Sequence, residues 1–241
     1  MVSIEKFRES GYVYDSIENY PDLINFDDLK SIKDSIDAIN VKRHSKYDYW
    51  FKYKELSYME ELVYDELLRN DKNLDVADEV YQKGHEYQIK KIEECGFYPT
   101  WVFGTSMSSD VTHILHNGII NKFQENFCKY YYSDKVNDTT TFMPMNRLQF
   151  YDNGCEIKLH DDGSPIDRIC VFLYFLNSDW NNENGGQLIL HTNENKTIKV
   201  NPIFPNFVVL DSDKNLFHEV EKVKNDMKYN IVSFLSYKNN G

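Results

Sequence analysis

The stretch "LHDDGSPIDRICVFLYFLNSDW", residues 159–180, decides how the chain is read. A histidine and two carboxylates (His160, Asp161 and Asp162) stand just ahead of "RICVFLYFLN", an unbroken apolar and aromatic run. Such a run, closed by the polar "SDWNNENGG", reads as a central strand buried on both faces. The flanking sequence supplies neighbours for it. "RLQFYD" ends at the turn pair Asn153 and Gly154, and "CEIKLH" follows. After the central run come "QLILH", "KTIKV", "NFVVLD", "FHEV" and "YNIVSFLSY", separated by turn signals. Eight short strands at close spacing predict a sandwich or barrel, not a parallel sheet with crossover helices.

The chain before about residue 145 reads mostly helical. "LSYMEELVYDELLRN" (56–70) and "ADEVYQKGHEYQIKKIEEC" (77–95) repeat apolar residues at three- and four-residue steps. A third segment starts at a cap formed by Ser109 and Asp110. It then aligns Val111, Ile114, Leu115, Ile119, Phe123 and Phe127 on one face, with Gly118 inside it. No internal repeat or linker is visible. The expected organisation is one α+β domain over 1–241. Residues 1–145 form a mostly helical support and substrate-side region, and 146–238 form the β core.

Composition narrows the function. A net charge of -12 argues against a phosphate-backbone binder, whose affinity comes from Lys and Arg. A hydrophobic fraction of 41% and an aromatic fraction of 15% suffice for a real core. Cys95, Cys128, Cys155 and Cys170 have neither metal nor redox spacing, so reduced thiols and a cytoplasmic location are expected. "MVSIEKFRES" has no apolar leader pattern and no run reaches membrane-span length, so no membrane partner is expected.

Strand alternation points His160 and Asp162 the same way and Asp161 the other. An imidazole and a carboxylate two residues apart can share a metal ion if a third ligand arrives from elsewhere. His218 in "NLFHEV", 56 positions beyond Asp162, is the candidate. Two imidazoles and one carboxylate on one face of an octahedral iron leave three positions open, enough for a chelating cosubstrate and dioxygen. A 2-oxoacid such as 2-oxoglutarate has a distal carboxylate that needs a cation in an apolar pocket. Lys228, ten residues after His218, shares a strand face with Asn230, Val232 and Phe234.

Residues 151–237 resemble the double-stranded β-helix (jelly-roll) core of Fe(II)/2-oxoglutarate dioxygenases, in the prolyl-hydroxylase-like branch. The matching pieces are "FYDNGCEIKLHDD", "RICVFLYFLNSDWNNENGGQL", "VNPIFPNFVVLDS", "FHEV" and "KYNIVSF", in that order. The resemblance implies that His160, Asp162 and His218 hold Fe(II) and that Lys228 pairs with the distal carboxylate of 2-oxoglutarate. Tyr151 matches a tyrosine whose hydroxyl reaches the same carboxylate. It further implies dioxygen as cosubstrate, ascorbate as a candidate accessory reductant, and hydroxylation of an unactivated C–H bond with release of succinate and CO2. A carboxylate at Asp162 points to hydroxylation, because related halogenases carry a small residue there. Phe175 departs from a second cosubstrate tyrosine, and Phe234 from a tryptophan, which leaves the substrate open.

A prolyl or other protein side chain is the expected substrate, with a free amino acid or other small metabolite as the alternative. A non-catalytic β-helix binding module and a zinc hydrolase are the alternatives from other classes; the second gives Lys228 no role. Arg168 matches a basic residue near the substrate in some relatives, but a structural ion pair is the expectation. His191 is expected at a strand end, Asp161 in solvent, and "KYYY" at 129–132 in packing. His113 and His116 read as a polar helix edge, and "DYWFKYKELSY" near Trp50 as packing.

Overall fold

The structure, a computed structural model, describes residues 1–38, 50–52, 101–103, 118–151, 153–162, 167–225 and 228–239. Two antiparallel sheets face each other. The larger orders its strands β1 (Tyr12–Ser16), β9 (Asn206–Asp211), β6 (Arg168–Phe175), β11 (Lys228–Asn239), β4 (Thr140–Tyr151), β3 (Trp101–Phe103) and β2 (Trp50–Lys52). The smaller orders β5 (Ile157–His160), β10 (His218–Val220), β7 (Leu188–His191) and β8 (Thr197–Val200). The strand count predicts a sandwich or barrel, and the two facing sheets form the double-stranded β-helix that the resemblance implies.

The central strand β6 explains its own composition. Val171 and Leu173 line the space between the sheets. Phe172 and Tyr174 point the other way, onto helix α3 (Ile119–Tyr131). An apolar residue is therefore required at every position, and no alternation survives. Phe123 and Phe127 of α3 meet Phe172 and Phe207 edge-on at 5.3–6.4 Å. Each such ring contributes about 1.5–3 kcal/mol by burial and roughly 0.5–1.5 kcal/mol more per aromatic pair.

The helices differ from expectation at one glycine. Gly118 has φ +88° and stands as the N-terminal cap of α3, so the helix starts after it instead of running through it. A left-handed backbone ends helical continuity, and the Phe123–Phe127 face is kept by the shorter helix. The Ser109 and Asp110 cap, the two long helical segments, Cys95 and the His113 and His116 pair lie outside the described residues. Helices α1 (Ile4–Ser10) and α2 (Phe26–Ala38) complete the described helical part. Phe7 of α1 packs on Phe127, Tyr131 and Tyr132. Tyr130 is exposed while Tyr131 and Tyr132 are buried, so the tyrosine run is packing. Cys128, Cys155 and Cys170 are buried free thiols. Among the described residues no helix is long and apolar enough to cross a membrane.

The glycine pair after the central strand has a steric cause. A Cβ on Gly185 would lie 2.1 Å from the backbone oxygen of Lys222, and its φ of +67° disfavours side chains. A Cβ on Gly186 would press on Val223 and Trp180 and stand 3.7 Å from the Lys228 stem. The Trp180 indole N–H donates to the Gly185 carbonyl at 2.7 Å, which locks the turn. Gly185→Ala is therefore expected to cost roughly 2–5 kcal/mol of stability, read as a lowered urea midpoint. An unchanged midpoint would mean that this contact relaxes freely.

Candidate active site and metal centre

Three candidate ligands, two imidazoles and one carboxylate, converge between the sheets. β5 and β10 are antiparallel neighbours, and their register pairs His160 directly with His218. A separation of 58 residues thus becomes a cross-strand contact, with imidazole centroids 4.3 Å apart. Asp162, just past the end of β5, turns its carboxylate toward both rings. His160 Nε2 lies 3.7 Å from Asp162 Oδ1, and His218 Nε2 lies 3.5 Å from Asp162 Oδ2. All three ligand atoms fall within 4.8 Å of one another. Cis ligands on bonds of about 2.1 Å stand about 3 Å apart, so a small inward adjustment closes the set on one ion.

The imidazoles are oriented for that task. His160 Nδ1 faces the Lys158 carbonyl at 2.8 Å, and His218 Nδ1 faces the Leu216 carbonyl at 3.0 Å. A proton on each Nδ1 satisfies both carbonyls and leaves each Nε2 lone pair for a metal. Burial pulls the His218 imidazole below its usual range, against the opposing pull of the Asp162 carboxylate. That favours the neutral form a metal requires. His218 is buried while the His160 side chain is 31% exposed, so the site opens on the His160 side.

Beside Tyr151, which lines the same cavity, lies Lys228, 1% exposed and paired with Tyr151 in register. Its ammonium sits 4.4 Å from the Tyr151 ring centroid and 5.9 Å from that of Phe175. It makes no hydrogen bond or ion pair with any described residue. Burial alone pushes its pKa down to about 7. The aromatic faces give the cation partial compensation and no counter-charge. Phe175 thus meets Lys228 with a ring face, where a tyrosine would also have offered a hydroxyl.

The register builds rows of side chains across β4, β11 and β6. Tyr151 stands beside Lys228, Gln149 beside Asn230 and Phe175, then Val232 beside Leu173, and Phe234 beside Val171. Gln149 Oε1 accepts from the Tyr151 hydroxyl at 3.1 Å and from Asn230 Nδ2 at 3.3 Å. Gln149 is missing from the sequence reading, although its place two residues before Tyr151 puts it on the same strand face. The free volume beside the triad, bounded by Gln149, Tyr151, Leu173 and Phe234, is about 30 Å³. A roomier cavity of about 530 Å³, near Leu23 and Lys122, contains none of the triad.

Other expectations separate cleanly. His191 ends β7 and approaches Glu219 at 3.3 Å, away from the triad. Asp161 is half-buried instead of fully solvated. Arg168 makes no ion pair with any described residue, where a structural ion pair is the expectation. Its Nη1 donates to the backbone oxygen of Asp162 at 2.6 Å, and its guanidinium lies 4.7 Å from the Phe234 ring. The backbone of Asp162 itself offers the arginine a carbonyl, not a carboxylate.

A double-stranded β-helix that brings two histidines and a carboxylate together, near a buried lysine with no ion-pair partner among the described residues, has the ligand set of a mononuclear non-haem iron site. Residues 146–236 match the family described as "2OG-Fe(II) oxygenase superfamily". A Pseudomonas putida prolyl-4-hydroxylase is similar in structure at 11% identity and a TM-score of 0.58, covering 99% of this chain and 97% of that one. A Trichoplax adhaerens prolyl hydroxylase, solved with a hypoxia inducible factor peptide fragment, is 15% identical with a TM-score of 0.51, covering 97% and 86%. No curated protein matches. Residues 146–236 thus carry a 2OG-Fe(II) oxygenase domain, and the solved prolyl hydroxylases share its fold.

Proposed function

We propose that the chain hydroxylates an unactivated C–H bond of a prolyl or other protein side chain, consuming 2-oxoglutarate and dioxygen and releasing succinate and CO2. The observation that carries this reading is the pairing of a convergent His160, Asp162 and His218 set with a buried ammonium that has no counter-ion among the described residues. Iron held by these three side chains would supply activation of dioxygen coupled to oxidative decarboxylation of the 2-oxoacid. The protein's own part is positional. His160 and His218 present Nε2 because backbone carbonyls engage Nδ1, and Lys228 fixes the distal carboxylate of the cosubstrate. Tyr151 backs Lys228 with its ring, within reach of the same carboxylate. Val171, Leu173 and Val232 keep the reacting centre dry. Ascorbate is assigned the role of an external reductant. A protein substrate is supported by the peptide bound to the Trichoplax enzyme of similar fold.

Anaerobic addition of Fe(II) and 2-oxoglutarate is expected to produce a metal-to-ligand charge-transfer band, and its absence ends the reading. A second expectation concerns pH. With its pKa near 7, Lys228 is mostly neutral at pH 8 in the free protein. A bound carboxylate raises that pKa, so binding takes up a proton. Affinity for 2-oxoglutarate should therefore weaken about tenfold per unit as pH rises above 7. Calorimetry in buffers of different ionisation enthalpy should find about one proton taken up at pH 8 and near zero at pH 6. Zero uptake across that range removes Lys228 from the carboxylate.

A further inference from the structure

The chain has five arginines, and two of them, Arg147 and Arg168, stand over one phenylalanine ring. Their guanidinium carbons lie 5.8 Å and 4.7 Å from the centroid of Phe234, which lines the cavity holding the triad. The register explains how they meet. Arg147 of β4 is opposite Val232 of β11, one row from Phe234. Arg168 is drawn in by an irregularity between Leu235 and Ser236, which pairs it with Ser236.

Neither guanidinium has a carboxylate partner among the described residues, in a chain with 39 acidic side chains and a net charge of -12. Where carboxylates outnumber cations, two unmatched arginines at one rim are unexpected. Their side-chain hydrogen bonds go to the Met145 sulfur at 3.1 Å and the Asp162 carbonyl at 2.6 Å. Both partners orient a guanidinium without neutralising it. The Phe234 face adds cation–π support, so the planar forks are held in place before any ligand arrives.

We infer that the substrate presents a carboxylate to Arg147 and Arg168 as its target C–H bond approaches the triad. This rests on the hydroxylase reading above and narrows its substrate class. The carboxylate could be an Asp or Glu side chain in a peptide or the α-carboxylate of a free amino acid. Met143 and Met145 share the strand face of Arg147 and are 44% and 46% exposed, which extends the rim with apolar surface suited to a longer chain.

The test uses the anaerobic Fe(II) and 2-oxoglutarate complex, followed by aerobic succinate assays. The probes are end-blocked proline peptides flanked by Asp and Glu, by Asn and Gln, or by Lys, together with L-proline and its neutral amide. An acidic peptide is expected to perturb the charge-transfer band and to stimulate succinate release at concentrations about 10- to 100-fold below its neutral twin. Preference for L-proline over its amide, with no peptide preference, would assign the carboxylate to a free amino acid. Arg147→Gln should erase the preference and leave the charge-transfer band in place, while Arg147→Glu should favour the Lys peptide. Equal responses to acidic and neutral probes in both arms, or no response to any probe, overturns the inference. So does a preference that survives Arg147→Gln. The band forms before any probe is added, so its absence refutes the oxygenase reading instead.

Discussion

Lys228→Met is expected to make the metal-free protein more stable while reducing its affinity for 2-oxoglutarate by about two to three orders of magnitude. The two effects share one cause. An ammonium that is 1% exposed, with no ion-pair partner among the described residues, has lost its hydration without gaining a counter-charge from them. Its pKa falls from 10.5 to about 7, so the unfolded chain binds more protons across that interval. Stability is therefore lost as pH falls from 10.5 toward 7, and the loss is complete below 7. Methionine has a similar length and needs no charge, so the penalty, of order a few kcal/mol at neutral pH, disappears. The melting temperature at pH 7 should rise by several degrees, and the difference from the native chain should shrink toward pH 10. Removing the cation also strands the cosubstrate's distal carboxylate among Tyr151, Phe175 and Gln149. A variant that binds 2-oxoglutarate normally, or that gains nothing in stability, contradicts the assigned role.

What the sequence reveals depends on whether a feature is local. The run at 168–177 announces a strand buried on both faces because Val171 and Leu173 meet the cavity while Phe172 and Tyr174 meet α3. The inward face of Lys228 follows from strand parity, and the opposition of His160 and His218 follows once the family's strand order is assumed. Features set by cross-strand neighbours stay hidden. β1 is a short polar-looking segment at a sheet edge, and its strand character comes from pairing with β9. β4 begins at Thr140 instead of Arg147, and its first half contains Pro144, which normally speaks against a strand. Pro144 is accommodated because, among the described residues, β3 pairs with β4 only at Gln149 and Phe150 and no strand lies beside Pro144 on that side. The Arg147, Phe234 and Arg168 contact joins three strands, one of them through an irregular register, and no periodicity encodes it.

Asp162→Ala should reduce hydroxylated product by more than about three orders of magnitude while changing stability by no more than about 1 kcal/mol. Asp162 supplies the single negative charge among the three ligands, and its two oxygens face different imidazoles at 3.7 Å and 3.5 Å. Alanine leaves two neutral nitrogens and no anion, so both the affinity for a dication and the geometry that leaves three adjacent positions open are lost. The fold has little at stake, because the side chain lies past the end of β5 and is 16% exposed. The backbone oxygen that accepts from Arg168 also survives the substitution. Asp161→Ala, one position away, removes a carboxylate that offers no ligand atom to the cluster, and should retain most activity. Ferrous-iron titration, thermal melting and mass spectrometry of product separate these effects. Iron bound at full stoichiometry by Asp162→Ala, with product formed at the native rate, would take the metal away from this cluster and the oxidation with it.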